Sequence, residues 1–201
     1  MPSAKYNMSF TACPLLWQDS VKIASLYLEM GDWNLVKTFS QQHNVLQART
    51  ASALNRITRE ICFRLATFSK EEIGFFVEAD PREQKALLWV ALCRRHQFIR
   101  EFSVEVLRER WISFRHELHY EDYDAFFNAK AEWDDGLDKI SETTRKKLRQ
   151  VLFLMLREVD LLNNINVIQP AILSPQIIAL LKQTNSQDLL IFPAYSMDLK
   201  E

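Results

Sequence analysis

Glycine is scarce in this chain, with three residues in 201, and there is no internal repeat and no low-complexity segment. Hydrophobic residues make up 48% of the sequence and recur three and four positions apart over long stretches. That spacing places apolar side chains on one face of an α-helix. The chain is long enough to bury a core as one domain or as two small ones. We therefore predict an all-α, mostly helical bundle.

Cysteine is also rare, and Cys13, Cys62 and Cys93 are odd in number and far apart. This excludes a disulfide framework and a CxxC metal knuckle, and with the lack of a signal peptide it predicts reduced core thiols in a cytoplasmic protein. The longest apolar runs, 86–93 and 151–156, are far shorter than the roughly 20 residues of a membrane-spanning helix. We expect no association with a membrane.

An excess of charge of either sign is absent, because 25 lysines and arginines balance 26 aspartates and glutamates. An electrostatic partner must therefore be recognised by a local patch. Catalytic motifs are absent too: there is no GxSxG turn and no glycine-rich phosphate loop, and HELH (116–119) lacks the histidine spacing of a zinc protease helix. We expect no enzyme activity, cofactor, metal site or small-molecule substrate.

Capping signals divide the chain into helices. Gly31 suits a left-handed helix end, Asp32 and Thr50 suit N-caps, and Ser69 with Glu72 forms a capping box. One helix is predicted to start after Ser69, and the other predicted helices span residues 15–30, 33–42, 50–65, 81–97, 103–116, 121–133, 143–162 and 175–182.

The acidic segment 134–138 predicts a linker between an N-terminal helical region, 1–133, and a C-terminal region, 139–201. In the C-terminal region a long helix precedes two extended segments that flank a short helix. We expect these elements to pack as one compact unit. The segments NVIQPAI (166–172) and DLLIFP (188–193) could pair as a small β-hairpin or wing.

A basic face runs along the helix in ARTASALNRITREICFRL, residues 48–65. Leucines and isoleucines occupy one side of this helix, and the other side carries Arg49, Ser52, Arg56 and Arg59. The preceding short helix makes the pair similar to a helix-turn-helix, with a longer turn than usual. The basic face is either a phosphate-binding surface or an ordinary solvated face.

A second basic cluster lies in the first turns of the long helix and consists of Arg145, Lys146, Lys147 and Arg149. The helix dipole disfavours cations there, which makes sense if they bind a phosphate together with the free backbone N–H groups. Acidic residues of 132–138 could instead neutralise the cluster internally. Phe63 and Phe153 lie near the two basic faces, either to stack on bases or to pack against a neighbouring helix.

Three segments carry a family resemblance: YNMSFTACPLLWQDSVKIASLYLEMGDW near the start, the basic stretch RTASALNRITREICFRL, and the tail LLNNINVIQPAILSPQIIALLKQTNSQDLLIFP. Their order resembles the BrxA family of BREX bacteriophage-exclusion systems over nearly the whole chain. The resemblance implies a helical fold similar to NusB, binding to double-stranded DNA without catalysis, and work beside other BREX proteins.

Two functions therefore remain open. The first is a sequence-tolerant double-stranded DNA-binding module that contacts phosphates through Arg49, Ser52, Arg56, Arg59, Arg145, Lys146, Lys147 and Arg149. The second is an adaptor or scaffold within the defence complex, in which the arginines meet acidic protein surfaces and Phe63 or Phe153 is an anchor.

Overall fold

A computed structural model describes residues 6–12 and 14–194 as an all-α chain, which confirms the predicted fold class. The α-helices of this part are α1 (Trp17–Met30), α2 (Trp33–Gln42), α3 (Ala51–Leu65), α4 (Lys70–Glu78), α5 (Pro81–Arg95), α6 (Gln97–Phe102), α7 (Glu109–Ile112), α8 (Tyr120–Ala131), α9 (Asp135–Asp138), α10 (Glu142–Glu158) and α11 (Pro175–Asn185). The helices are divided between two compact units. The second unit is Leu15–Arg95, and the first unit contains the described residues before and after it. The NusB-like arrangement stays a prediction.

Helices α1 to α5 form the second unit around α5. Residues 87–93 of α5 are fully buried, because this central stretch of the helix is apolar on all sides and neighbouring helices can cover it completely. The predicted helix ends are confirmed: Gly31 has φ 71°, Asp32 and Thr50 accept hydrogen bonds at the starts of α2 and α3, and Ser69 with Glu72 forms the capping box of α4.

An aromatic cluster centred on Phe98 organises the core of the first unit. The rings of Tyr6, Phe10, Tyr123, Phe126 and Phe127 lie 5.1–6.5 Å from the Phe98 ring, centroid to centroid. Because Tyr6 and Phe10 come from the start of the chain, this segment is tied to residues about ninety positions later. The Tyr6 hydroxyl also donates to Glu101 (2.6 Å).

The helix predicted at 103–116 begins earlier and ends sooner. Its first turn is α6, which passes through a π-helical segment, Ser103–Arg108, into α7. Ser103 is therefore not an N-cap, since its hydroxyl donates to the carbonyl of Ile99 (2.7 Å) inside the helix. The helix ends at Ile112, and Phe114 beyond it has φ 57°.

The predicted linker, 134–138, is structured and lies within the first unit. Asp134 is buried, and its carboxylate accepts hydrogen bonds from the backbone N–H groups of Gly136 and Leu137 at the start of α9. A run of acidic residues with a glycine here encodes a capped turn, because a short helix needs an acceptor for its first N–H groups.

The predicted hairpin or wing in the tail does not form, and the described residues contain no strand. Residues of 166–172 make isolated antiparallel bridges elsewhere, Val167 with Glu117 and Ile168 with Leu162. The expected second strand is a 3₁₀ helix, Ser186–Ile191. Its carboxylate Asp188 is buried against Arg100 (Nη1–Oδ1 2.6 Å), a long-range pair that local β-propensity cannot anticipate.

Among the described helices, none combines the length and the apolar character that crossing a bilayer requires.

We expect the thiols of Cys62 and Cys93 to resist iodoacetamide in the folded protein at pH 8 and to react after unfolding in urea. Both side chains are buried, and burial raises the pKa of the Cys62 thiol to about 11, so the reactive thiolate is rare at pH 8. Mass spectrometry of the alkylated peptides measures the result. Rapid modification of Cys62 in the native protein would contradict this burial. Cys13 lies outside the described residues.

Candidate nucleic-acid interface

Helix α3 has the two faces that its sequence predicts. Leu54, Ile61 and Leu65 are buried in the second unit. The opposite face is solvent-exposed and carries Ser52, Arg56 and Arg59, and Arg49 is exposed just before the helix begins. The Thr50 hydroxyl accepts a hydrogen bond from the N–H of Ala53 (3.2 Å), so the start of α3 is held without using any of the arginines.

The charge of this face is not neutralised locally. Arg49, Arg56 and Arg59 form no ion pair with any residue that the structure describes. Residues 33–69 contain one acidic residue, Glu60, and its carboxylate is buried against Arg64 (Nε–Oε1 2.9 Å). The three exposed arginines therefore keep their charge available for an external anion.

Two further cations extend this surface, and sequence reasoning missed them as contributors. Lys37 of α2 and Arg95 at the end of α5 lie over the ring of Phe63, at 5.2 Å and 4.8 Å from its centroid. Arg95 also lies in the last turn of α5, where the helix dipole favours a cation. We define the α3 surface as Arg49, Ser52, Arg56 and Arg59 with Lys37, Phe63 and Arg95.

Phe63 is 39% exposed and is in contact with these two cations. Cation–π contacts of this kind occupy the face of an aromatic ring. The packing alternative for Phe63 is therefore favoured over stacking on a base, because its ring already has partners within the protein.

The second cluster is half neutralised within the first unit, where two carboxylates, Asp124 and Glu142, pair with three of its four cations. Asp124 of α8 pairs with Arg145 (Nε–Oδ1 3.2 Å) and with Arg149. Arg145 also donates to the Asn128 side chain (2.7 Å), and the two guanidinium groups lie over the rings of Phe127 and Tyr120. This arrangement favours internal neutralisation over phosphate binding, with Asp124 in place of the acidic residues of 132–138.

The two lysines of the cluster differ from each other. Lys146 pairs with Glu142 one turn earlier (Nζ–Oε1 2.6 Å), and this hydrogen bond lowers the pKa of the fully exposed Glu142 carboxyl. Lys147 is exposed and has no ion pair with the described residues. Contact of this cluster with DNA stays a prediction, and Lys147 is its best-placed member.

Phe153 is not available to any partner. Its ring is fully buried and meets Tyr120 edge-on at 4.8 Å between centroids. The position is on the polar side of α10 in the sequence, yet α8 covers it in the structure. Packing, rather than stacking on bases or anchoring a partner, is therefore its role.

Potential metal ligands do not converge within residues 6–12 and 14–194, where no group of three or more histidine, cysteine, aspartate or glutamate side chains is arranged to hold an ion. In the HELH segment, His119 lies 3.3 Å from the Glu117 carboxylate, as an exposed pair.

Over the part of the chain that the structure describes, the fold is all-α and the basic face of α3 is not neutralised. Comparison with known families shows a match to the BrxA family model over residues 4–185. The chain belongs to the BrxA family, which confirms the resemblance seen in its sequence.

Individual relatives agree with this assignment. The chain is similar to the BREX protein BrxA of Escherichia coli O9:H4 (strain HS), with 29% identity over 88% of this chain and 84% of the relative. It is 25% identical to the BREX protein BrxA of Bacillus cereus (strain H3081.97), over 79% of this chain and 80% of the relative. A crystal structure of an uncharacterized protein from Magnetospirillum magneticum shares the fold, with a TM-score of 0.82 over 94% of this chain and 97% of that chain at 19% identity.

Proposed function

We propose that this BrxA-family chain is a non-enzymatic, double-stranded DNA-binding component of a BREX phage-defence system. The observation that carries the proposal is the α3 surface, where Arg49, Arg56 and Arg59 are exposed without a carboxylate to neutralise them. In a chain with balanced total charge, a local patch of unpaired arginines is the feature that can attract an anionic partner.

Phosphate contact is the chemistry that this surface supports. Arg56 and Arg59 are three residues apart on α3, which separates them by about 4.5 Å along the helix axis. Residues three positions apart lie on the same face of a helix, so both arginines can contact one phosphate backbone. Arginine pairs with phosphate oxygens through planar, bidentate hydrogen bonds. Contacts to the backbone alone do not specify bases, so we propose sequence-tolerant binding.

A duplex fits the surface better than a single strand does. Proteins that bind single strands without sequence preference stack successive bases on aromatic rings. On the α3 surface the ring of Phe63 is already in contact with Lys37 and Arg95, and Phe153 is buried in the first unit. A duplex, whose bases are stacked inside it and whose phosphates lie outside, requires no stacking platform.

The adaptor hypothesis is weakened because one of its two anchors, Phe153, is buried. Other BREX proteins are nevertheless natural candidates for partners of a BrxA-family chain. We propose them as partners in addition to DNA, with Phe63 as the remaining anchor candidate.

The test is fluorescence anisotropy of a labelled random-sequence duplex titrated with the full chain at 50, 100 and 200 mM salt. Three phosphate contacts give a slope of log K against log salt near −2.7, since each contact contributes about −0.9. We expect this slope or a steeper one. Affinity that is independent of salt, or no binding at 50 mM, would contradict phosphate binding and leave the adaptor hypothesis.

A further inference from the structure

Trp133 is 82% exposed, more than any other large apolar side chain that the structure describes. It lies in the first unit, between the end of α8 and the start of α9. Its indole forms no hydrogen bond and no ring contact with any described residue. Covering such a ring is favourable, and tryptophan is enriched among the residues that carry most of the binding energy of protein interfaces.

Three carboxylates surround this ring in the sequence. Glu132, Asp135 and Asp138 are exposed and form no ion pair with the described residues. Lys139 is the one cation in 131–139. We define the Trp133 corner as Trp133 with Glu132, Asp135 and Asp138. An aromatic ring with an excess of negative charge beside it fits a partner surface that is positively charged.

The backbone of the Trp133 corner is fixed by hydrogen bonds. The N–H of Trp133 donates to Lys130 O (3.2 Å) at the end of α8. The buried Asp134 carboxylate caps α9 and also accepts a hydrogen bond from the N–H of Tyr6 (3.2 Å), 128 positions earlier. A partner therefore meets a preformed turn, and binding does not carry the cost of ordering it.

The α3 surface has the chemistry that complements this corner. Arg49, Arg56 and Arg59 are exposed and lack an ion pair with the described residues, and the corner offers three carboxylates that are also unpaired. Guanidinium groups bind carboxylates through bidentate hydrogen bonds and stack on the face of a tryptophan ring. Each surface is exposed in the single chain, so a second copy can supply its counterpart.

We propose that the Trp133 corner of one chain docks on the α3 surface of a second copy. The arginines of α3 pair with the carboxylates of the corner, and one guanidinium covers the Trp133 ring. The two surfaces are different, so the contact is heterologous and joins the chains head to tail. Duplex DNA and the second copy then compete for the same arginines, an expectation that rests on the proposed function.

The experiment is sedimentation velocity of the full chain without DNA, over protein concentrations up to about 200 μM, at 50 and 500 mM salt. We expect the sedimentation coefficient to rise with protein concentration at 50 mM salt. Association should be at least tenfold weaker at 500 mM, because salt screens exposed charges. A chain that stays monomeric at 50 mM salt, or association that is independent of salt, would overturn the proposal.

Two variants each remove one of the surfaces. Trp133→Ala alters the corner, and the triple replacement of Arg49, Arg56 and Arg59 by glutamine alters the α3 surface. Each should weaken association at least tenfold, with circular dichroism unchanged. Ile165→Ala is the matched control, since Ile165 is 79% exposed and belongs to neither surface. Equal association of Trp133→Ala and Ile165→Ala would show that the corner is not the contact.

An equimolar mixture of the two variants tests the head-to-tail arrangement. The Trp133→Ala chain keeps its α3 surface, and the triple-glutamine chain keeps its corner. Complexes of two chains should therefore form in the mixture although neither variant associates alone. A mixture that remains monomeric would refute docking of the corner on α3.

Competition by DNA is measured with a fluorescent label on the triple-glutamine chain. Duplex that binds the α3 surface of the Trp133→Ala chain should release the labelled chain and lower its anisotropy. Duplex that binds without this release would exclude α3 as the docking surface. Because the sedimentation experiments contain no DNA, failure of duplex binding and failure of self-association are distinguished.

Discussion

Replacing Arg49, Arg56 and Arg59 together by glutamine is expected to reduce the salt dependence of duplex binding by about 2.7 in the slope of log K against log salt. These side chains are exposed and carry charges that no described residue neutralises. Across the range from 50 to 200 mM salt, three contacts account for about a 40-fold change in affinity at about 0.9 per contact. Anisotropy titrations of the variant at three salt concentrations measure the slope directly.

A matched control removes the same charge elsewhere in the second unit. Lys22, Lys70 and Arg82 are exposed and lie outside the α3 surface, so their replacement by glutamine should leave the slope within about 0.9 of the unmodified protein, the value of one contact. Equal losses in both triple variants would show that net charge, and not the α3 surface, controls binding. An unchanged slope in the α3 variant would exclude this surface as the contact.

Glu72→Ala is expected to lower the free energy of unfolding by about 3 to 5 kcal/mol, the cost of removing one partner of a buried ion pair. The Glu72 side chain is 1% exposed and accepts two hydrogen bonds from Arg94, at 2.6 and 3.0 Å. It also accepts from the N–H of Ser69 (2.7 Å) in the capping box. Urea unfolding followed by circular dichroism measures the loss.

Two variants show whether the pair itself is responsible. Glu71→Ala, at the exposed neighbouring position in the same helix turn, should change stability by less than about 0.5 kcal/mol. Glu72→Met combined with Arg94→Met should recover most of the loss, because replacing both ions by apolar side chains removes the uncompensated charge. Equal effects of Glu71→Ala and Glu72→Ala would assign the loss to helix propensity instead.

Helix boundaries with side-chain caps were predictable from the sequence. The bounds of α2 agree with the prediction, and the caps at Asp32, Thr50 and Ser69 form as expected. A capping hydrogen bond joins residues two or three positions apart, so all of its information is local. The same holds for the two faces of α3, because helical periodicity alone assigns them.

Elements without a local determinant were predicted poorly. α6 begins before the expected helix start at Ser103, whose hydroxyl bonds to a carbonyl inside the helix. The segment 188–193 has strand-forming residues, yet Asp188 is buried against Arg100, 88 positions earlier. β-propensity describes how a side chain fits a sheet, and no neighbouring strand is present in the described residues to receive it.

The sequence by itself determined the helical class, the family and the two faces of α3. Residues 33–69 contain one carboxylate, and the structure added that no more distant carboxylate among the described residues pairs with Arg49, Arg56 or Arg59. Only the tertiary structure decided which carboxylates pair with the cations of the second cluster. Asp124 reaches Arg145 across 21 positions and a change of helix, and a composition with many carboxylates does not reveal which of them a given arginine meets. Ion pairing depends on distances of a few ångströms, which helix packing sets and periodicity does not.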